Sequence, residues 1–168
     1  GYFAGYTNKS GSSNTFIGAH SGYSFANHGT PRNTFVGAYS GYNQTKSAYN
    51  VYLGYSAGYG ASGVTAHFNI GIGYQALKVI ASNANHNIAI GYQSGDAVTT
   101  SSGSVFLGST AGGTVTTGNM NIGIGYDAMN GAATTGDNNI AIGASAGDAL
   151  TSGFKNILIG MDAGGALQ

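Results

Sequence analysis

Charge is scarce in this chain. Only 6% of its 168 residues are Asp, Glu, Lys or Arg, and the formal net charge at pH 7 is zero. A phosphate-binding surface needs clustered Lys and Arg, so this composition argues against nucleic acid as a partner. It argues equally against a polybasic membrane patch. Cysteine is absent, which excludes a disulfide scaffold but leaves the compartment open. Proline occurs once, at Pro31, and tryptophan not at all. No apolar run approaches the roughly 20 residues of a membrane-spanning helix, so no membrane insertion is expected. No secretory signal pattern is visible.

Glycine, by contrast, is abundant, at 31 residues. That much glycine suits either disorder or a fold with many tight turns. Regularly placed Ile, Val, Leu and Phe decide for the fold, because they offer every repeat an apolar face to bury.

The repeat is clearest at Asn87-Ile88-Ala89-Ile90-Gly91. Variants of it recur at Asn14–Gly18, Asn50–Gly54, Asn139–Gly143 and Asn156–Gly160. Taking the closing glycine as a mark gives Gly1, Gly18, Gly37, Gly54, Gly73, Gly91, Gly108, Gly125, Gly143 and Gly160, spaced by 17 to 19 residues. Self-similarity at a fixed period is the signature of a solenoid. This period is too short for helix-pair repeats and suits one coil of a parallel β-solenoid. The chain therefore reads as all-β, with about ten coils, and as one solenoid segment over residues 1–168 of a longer repetitive protein. Rungs 52 residues apart match best (Gly73 with Gly125, Gly91 with Gly143, Gly108 with Gly160), which suggests duplication of a three-coil unit.

Each column of the repeat carries its own expectation. Asn, or Ser104 in one rung, stands four before the mark and should form a stacked amide ladder at a corner. Positions three and one before the mark, such as Ile88 and Ile90, share one face by strand alternation and are expected to fill the coil. The residue between them is apolar as well: Phe16, Phe35, Tyr52, Gly71, Ala89, Phe106, Gly123, Ala141 and Leu158. A strand apolar on both faces is normally covered on both. Phe16, Phe35, Tyr52, Ala89, Phe106, Ala141 and Leu158 are accordingly expected to pack against another copy of the chain. On this orientation Ala89→Glu blocks assembly and Gln93→Glu is tolerated. Ala or Ser stands three after every mark, implying close approach, and Gly usually follows, with Leu77 and Met129 as exceptions. The remaining Ser-, Thr-, Asn- and Gly-rich residues are expected to form a second strand and the solvent-facing turns.

Chemistry-bearing constellations are sparse. Neither a nucleophile elbow nor a His-Glu-x-x-His stands in the sequence. Gly71-Ile72-Gly73 falls mid-strand, not before a helix. The five acids are Asp96, Asp127, Asp137, Asp148 and Asp162. Asp96 and Asp148 are three coils apart, about 14 Å, too far for a glycosidase pair within one chain; they read as exposed solubilising acids. The calcium-binding nonapeptide pattern of β-roll toxins is missing. His20, His28, His67 and His86 show no metal-ligand spacing, although His67 and His86 occupy similar loop regions of adjacent coils. Thr99-Thr100, Thr116-Thr117 and Thr134-Thr135 do not make the Thr-x-Thr grid of an ice-binding face. No catalytic residue, cofactor or metal site is assigned. Tyr6, Tyr23, Tyr42 and Tyr59, five after their marks, should stack as an aromatic column. They are the candidate contacts for a glycan or receptor.

The rung Asn-x-x-Ile-Gly-x-x-Ala/Ser-Gly resembles the head repeats of YadA-like trimeric autotransporter adhesins. It resembles still more the Asn-Thr-Phe-Ile-Gly repeats of bacteriophage tail fibres, with Asn33–Gly37 and Asn87–Gly91 carrying the match. The resemblance spans essentially the whole chain. It implies a left-handed parallel β-roll, a homotrimer of side-by-side chains, an extracellular, cell-surface or virion location, and a role in attachment. The expected function is a non-enzymatic fibre segment that spaces or adheres, meeting a host-surface glycan or protein receptor. Two alternatives are an end-to-end stacking extracellular filament and a monomeric solenoid that binds or cleaves polysaccharide.

Overall fold

In the computed structural model, which describes residues 1–26 and 31–165, the repeat folds as a parallel β-solenoid. Nine three-residue strands form one sheet in chain order: β1 (Thr15–Ile17), β2 (Thr34–Val36), β3 (Val51–Leu53), β4 (Ile70–Ile72), β5 (Ile88–Ile90), β6 (Val105–Leu107), β7 (Ile122–Ile124), β8 (Ile140–Ile142) and β9 (Ile157–Ile159). Every neighbour pair is parallel and in the register of the repeat, as in Ile88↔Val105, Ala89↔Phe106 and Ile90↔Leu107. No helix occurs among the described residues.

The mark glycines explain the strict end of each strand. From Gly18 to Gly160 their φ lies between 125° and 141°, where side-chain-bearing residues are strained. A Cβ on Gly91 would also lie 2.2 Å from the Gly108 carbonyl oxygen in the next coil. Beyond the mark the chain enters a turn that places ordinary residues such as Tyr39 (φ 58°), Gln75 (φ 56°) and Gln93 (φ 51°) in the left-handed region. Each such residue costs about 1 kcal/mol. Coil-to-coil backbone bonds hold the turns there, including Tyr39 N to Ala19 O at 2.9 Å and Gln93 N to Tyr74 O at 2.8 Å.

The amide ladder is present. Asn50 N donates to Asn33 Oδ1 at 2.9 Å, Asn69 N to Asn50 Oδ1 at 2.8 Å and Asn87 N to Asn69 Oδ1 at 2.9 Å. Ser104 continues it, since its N donates to Asn87 Oδ1 and its Oγ accepts from Asn121 N, each at 3.1 Å. The side-chain amides also cross the coil, with Asn87 Nδ2 donating to Ser101 O at 2.8 Å. These buried polar groups are satisfied by their copies one coil away.

The orientation of the strands reverses the expectation. Phe35, Tyr52, Ala89, Phe106 and Ala141 are wholly buried inside the coil, and Phe16 and Leu158 are half-buried on the same side in the outermost strands. These seven residues therefore do not face a partner. The outward residues are those three and one before each mark, among them Ile90 and Ile17, which are 40% and 56% exposed. Alternation shows which residues share a face but not which face points inward. Turn geometry decides that: the Ala/Ser and Gly after the mark lie beneath the middle strand residue. A Cβ on Gly58 would meet the Tyr52 ring at 2.4 Å, and one on Gly112 the Phe106 ring at 2.3 Å. Ser40 Oγ donates to Tyr52 O and Ser94 Oγ to Phe106 O, so the small column lines the coil interior.

A second reversal concerns the variable half of each coil. It forms no second strand among the described residues; isolated parallel bridges join Ala48 to His67 and Val115 to Thr134. Single backbone bonds, such as Ala81 N to Thr99 O at 2.9 Å and Thr116 N to Thr134 O at 3.1 Å, join the coils there, and side chains add to them. Thr45 Oγ1 donates to Val64 O at 3.1 Å and Thr114 Oγ1 to an alanine carbonyl, Ala132 O, at 2.7 Å. Length differences between coils interrupt a continuous backbone ladder but leave such single bonds intact.

Candidate interaction site

The outward face is built from the two columns that were expected inside. Val51/Leu53, Ile70/Ile72, Ile88/Ile90, Val105/Leu107, Ile122/Ile124 and Ile140/Ile142 follow one another along the rod, each at least partly exposed. A branched aliphatic ladder suits a parallel sheet, but a solvated sheet face would normally alternate to polar residues. A contiguous exposed apolar face marks an interaction surface.

Aromatic ladders flank it on both sides. Five before the mark, Tyr49 stacks on Phe68 at 4.8 Å and Phe68 on His86 at 4.9 Å. One after the mark, Tyr55 stacks on Tyr74 at 5.4 Å and Tyr74 on Tyr92 at 5.2 Å. These rings remain substantially exposed, Tyr92 to 52% and Phe68 to 48%. Sequence reading singled out neither ladder, although the recurring offsets of these rings from the marks carried the signal.

The anticipated tyrosine column does form. Tyr6, Tyr23, Tyr42 and Tyr59 are spaced at 5.1, 5.0 and 5.0 Å with planes within 8°. Their ring faces are turned to one another. Tyr23 and Tyr42 each have a stacked ring on both faces, so for these two the geometry favours coil-to-coil stabilisation over sugar stacking. Burial, and then the neighbouring phenols Tyr59, Tyr23 and Tyr39, raises the pKa of Tyr42.

The histidines are separated by role. His67 Nδ1 accepts a hydrogen bond from Ala48 N at 3.0 Å, whereas His86, one position nearer its mark, stacks on Phe68. His20 stacks on Tyr39 at 5.0 Å, and His28 lies outside the described residues. Among the described residues no three His, Asp or Glu side chains cluster as a metal site.

Two of the acids, Asp127 and Asp137, are engaged locally. Asp127 accepts from Thr110 Oγ1 and from Asn130 Nδ2, and the Thr110 bond leads in holding its carboxyl below the ordinary range. Asp137 Oδ1 accepts from Asn119 N at 2.6 Å. Asp96 and Asp148 are half-buried, not fully exposed. Partial burial raises the Asp96 pKa against the opposing pull of Lys78.

No model of a known protein family, no curated protein and no solved structure matches the chain.

Proposed function

We propose that this chain is a non-catalytic shaft segment of a trimeric extracellular or virion fibre, in which copies lie side by side and bury the Ile/Val/Leu face. The β-roll would be left-handed, as the resemblance implies. The observation that carries this reading is the outward aliphatic ladder running through Ile70/Ile72, Ile88/Ile90, Ile122/Ile124 and Ile140/Ile142. Nine strands about 4.8 Å apart, and a face about 20 Å wide between the flanking ladders, give roughly 800 Å². That is about what one partner contributes to a standard protein interface. The role would be mechanical and adhesive: a rod that spaces or presents a binding tip, or that attaches by its own sides.

Measurement of mass in solution tests it. The expected result is three times the 16.8 kDa chain mass. A stable, monodisperse monomer at micromolar concentration overturns the reading and leaves the single-chain solenoid in its place.

A further inference from the structure

We propose that copies of this chain pack parallel and level with one another, with the Tyr55–Tyr74–Tyr92 ladder of one copy seated against the Tyr49–Phe68–His86 ladder of the next. The proposal rests on the side-by-side packing above and specifies its direction and register.

The two flanks vary together at most levels, Arg32 opposite Ala38 at β2 being the exception. At the level of β3 they carry Tyr49 and Tyr55, at β4 Phe68 and Tyr74, at β5 His86 and Tyr92, and at β7 Met120 and Tyr126. All four of these levels have a large side chain on both sides. At β1, β2, β6 and β8 the residue after the mark shrinks to Ala19, Ala38, Ser109 and Ala144. The opposite flank there holds Ser13, Arg32, Gly103 and Asn138, none of them aromatic or aliphatic. Arg32 reaches along its own flank, with its Nη1 donating to the Tyr49 hydroxyl at 3.1 Å.

Five residues, three of them the strand, lie between the flanks at each level, a span of at most about 20 Å. Among the described residues every stack runs along one ladder and none crosses to the other.

A neighbour rotated about an axis parallel to the rod does link them. It brings the flank after the mark of one copy against the flank before the mark of the next, at equal height. Large then meets large at β3, β4, β5 and β7. An antiparallel neighbour centred on β5 would instead set β4, with Phe68 and Tyr74, against β6, with Gly103 and Ser109. A slip of one coil would set Tyr92 against Gly103. An unrelated partner would have to match both flanks separately, whereas a second copy supplies both at once. His86 in this seat presents a flat ring in the same stack as Phe68, at an interplanar angle of 6°.

The absence of cysteine permits a clean test. The double variant Phe68→Cys/Tyr74→Cys places one thiol on each flank at one level. Tyr49→Cys/Tyr92→Cys places them two levels apart, about 10 Å along the axis, beyond disulfide reach. Each is oxidised under copper–phenanthroline after sedimentation has shown that the variant still assembles. The expected result is a covalent ladder on a denaturing gel for the level pair, severalfold stronger than for the offset pair. Equal or absent cross-linking of the two pairs in an intact assembly overturns the level-matched parallel register alone. A monomeric wild-type chain overturns both this inference and the side-by-side packing on which it rests.

Discussion

Ala89 and Ile90 are adjacent residues of β5 that point to opposite sides of the sheet. Ala89 has no exposed surface and sits in register between Gly71 and Phe106, while Ile90 is 40% exposed. A charge at Ala89 would enter the coil interior unpaired, at a cost of several kcal/mol. Ala89→Glu is therefore expected to abolish the cooperative thermal transition of the chain. Ile90→Glu, on the outward face, is expected to keep the β-rich far-ultraviolet circular dichroism of the folded coil. Retention of the native spectrum by Ala89→Glu and its loss in Ile90→Glu would reverse the orientation.

Tyr52 carries a liability that its neighbours lack. Its ring stacks on Phe35 at 5.2 Å, but its buried hydroxyl has no well-aligned hydrogen-bond partner. The adjacent Asn69 amide is already directed to Asn50 Oδ1, His67 O and Ala84 O. Tyr52→Phe should be neutral or stabilising by up to about 1 kcal/mol in urea unfolding, because it removes an unsatisfied polar group.

The same burial predicts alkaline sensitivity. It holds the Tyr52 pKa well above its ordinary value of 10.0, so the folded chain keeps a proton that the unfolded chain releases. Stability is fully present below about pH 10 and falls as pH rises beyond it, by up to about 1.4 kcal/mol per unit. Tyr42 and Tyr126, whose pKa values are also raised, act in the same direction. Tyr52→Phe should flatten the slope of unfolding free energy between pH 10 and pH 11 without removing it. An unchanged slope would contradict the assignment.

Two glycines separate close approach from conformational strain. Gly91 combines φ of 141° with a would-be Cβ contact of 2.2 Å to backbone, whereas Gly63 has φ of 75° and open space around it. Gly63→Ala should cost about 1 kcal/mol. Gly91→Ala should prevent folding of the coils around it, seen as loss of amide protection in hydrogen exchange across β5 and β6.

The amide ladder predicts a gradient along the rod. Asn87→Ala would orphan the buried Ser104 N–H and Ser101 carbonyl, costing about 2 kcal/mol or more. Asn14, at the edge of the described ladder, accepts from Asn33 in a partly solvated setting and should cost less than half as much on replacement by Ala. Chemical denaturation of the two variants compares them directly.

Much of this was legible in the sequence. The period, the strand positions, the Asn column and the Tyr6–Tyr59 stack all follow from residues recurring at fixed offsets, because a solenoid repeats its chemistry with its geometry. Alternation leaves the inward direction open, and the branched aliphatics point to the wrong face. A finer signal was available. Gly71 and Gly123, the two smallest middle residues, occur in the coils where Leu77 and Met129 replace the usual turn glycine. A large residue lost on the strand and gained on the turn of one coil means that both point into the same interior. Leu77 and Met129 are indeed wholly buried. The flanking ladders are harder to read, because each stack spans only three successive coils.

The central claim is that the outward aliphatic face joins copies of this chain. Sedimentation velocity of the wild type beside Ile72→Glu/Ile90→Glu at equal concentration tests it most directly. The account predicts an assembly for the wild type and a folded 16.8 kDa monomer for the variant. A monomeric wild type, or a variant that keeps the wild-type mass, would contradict it.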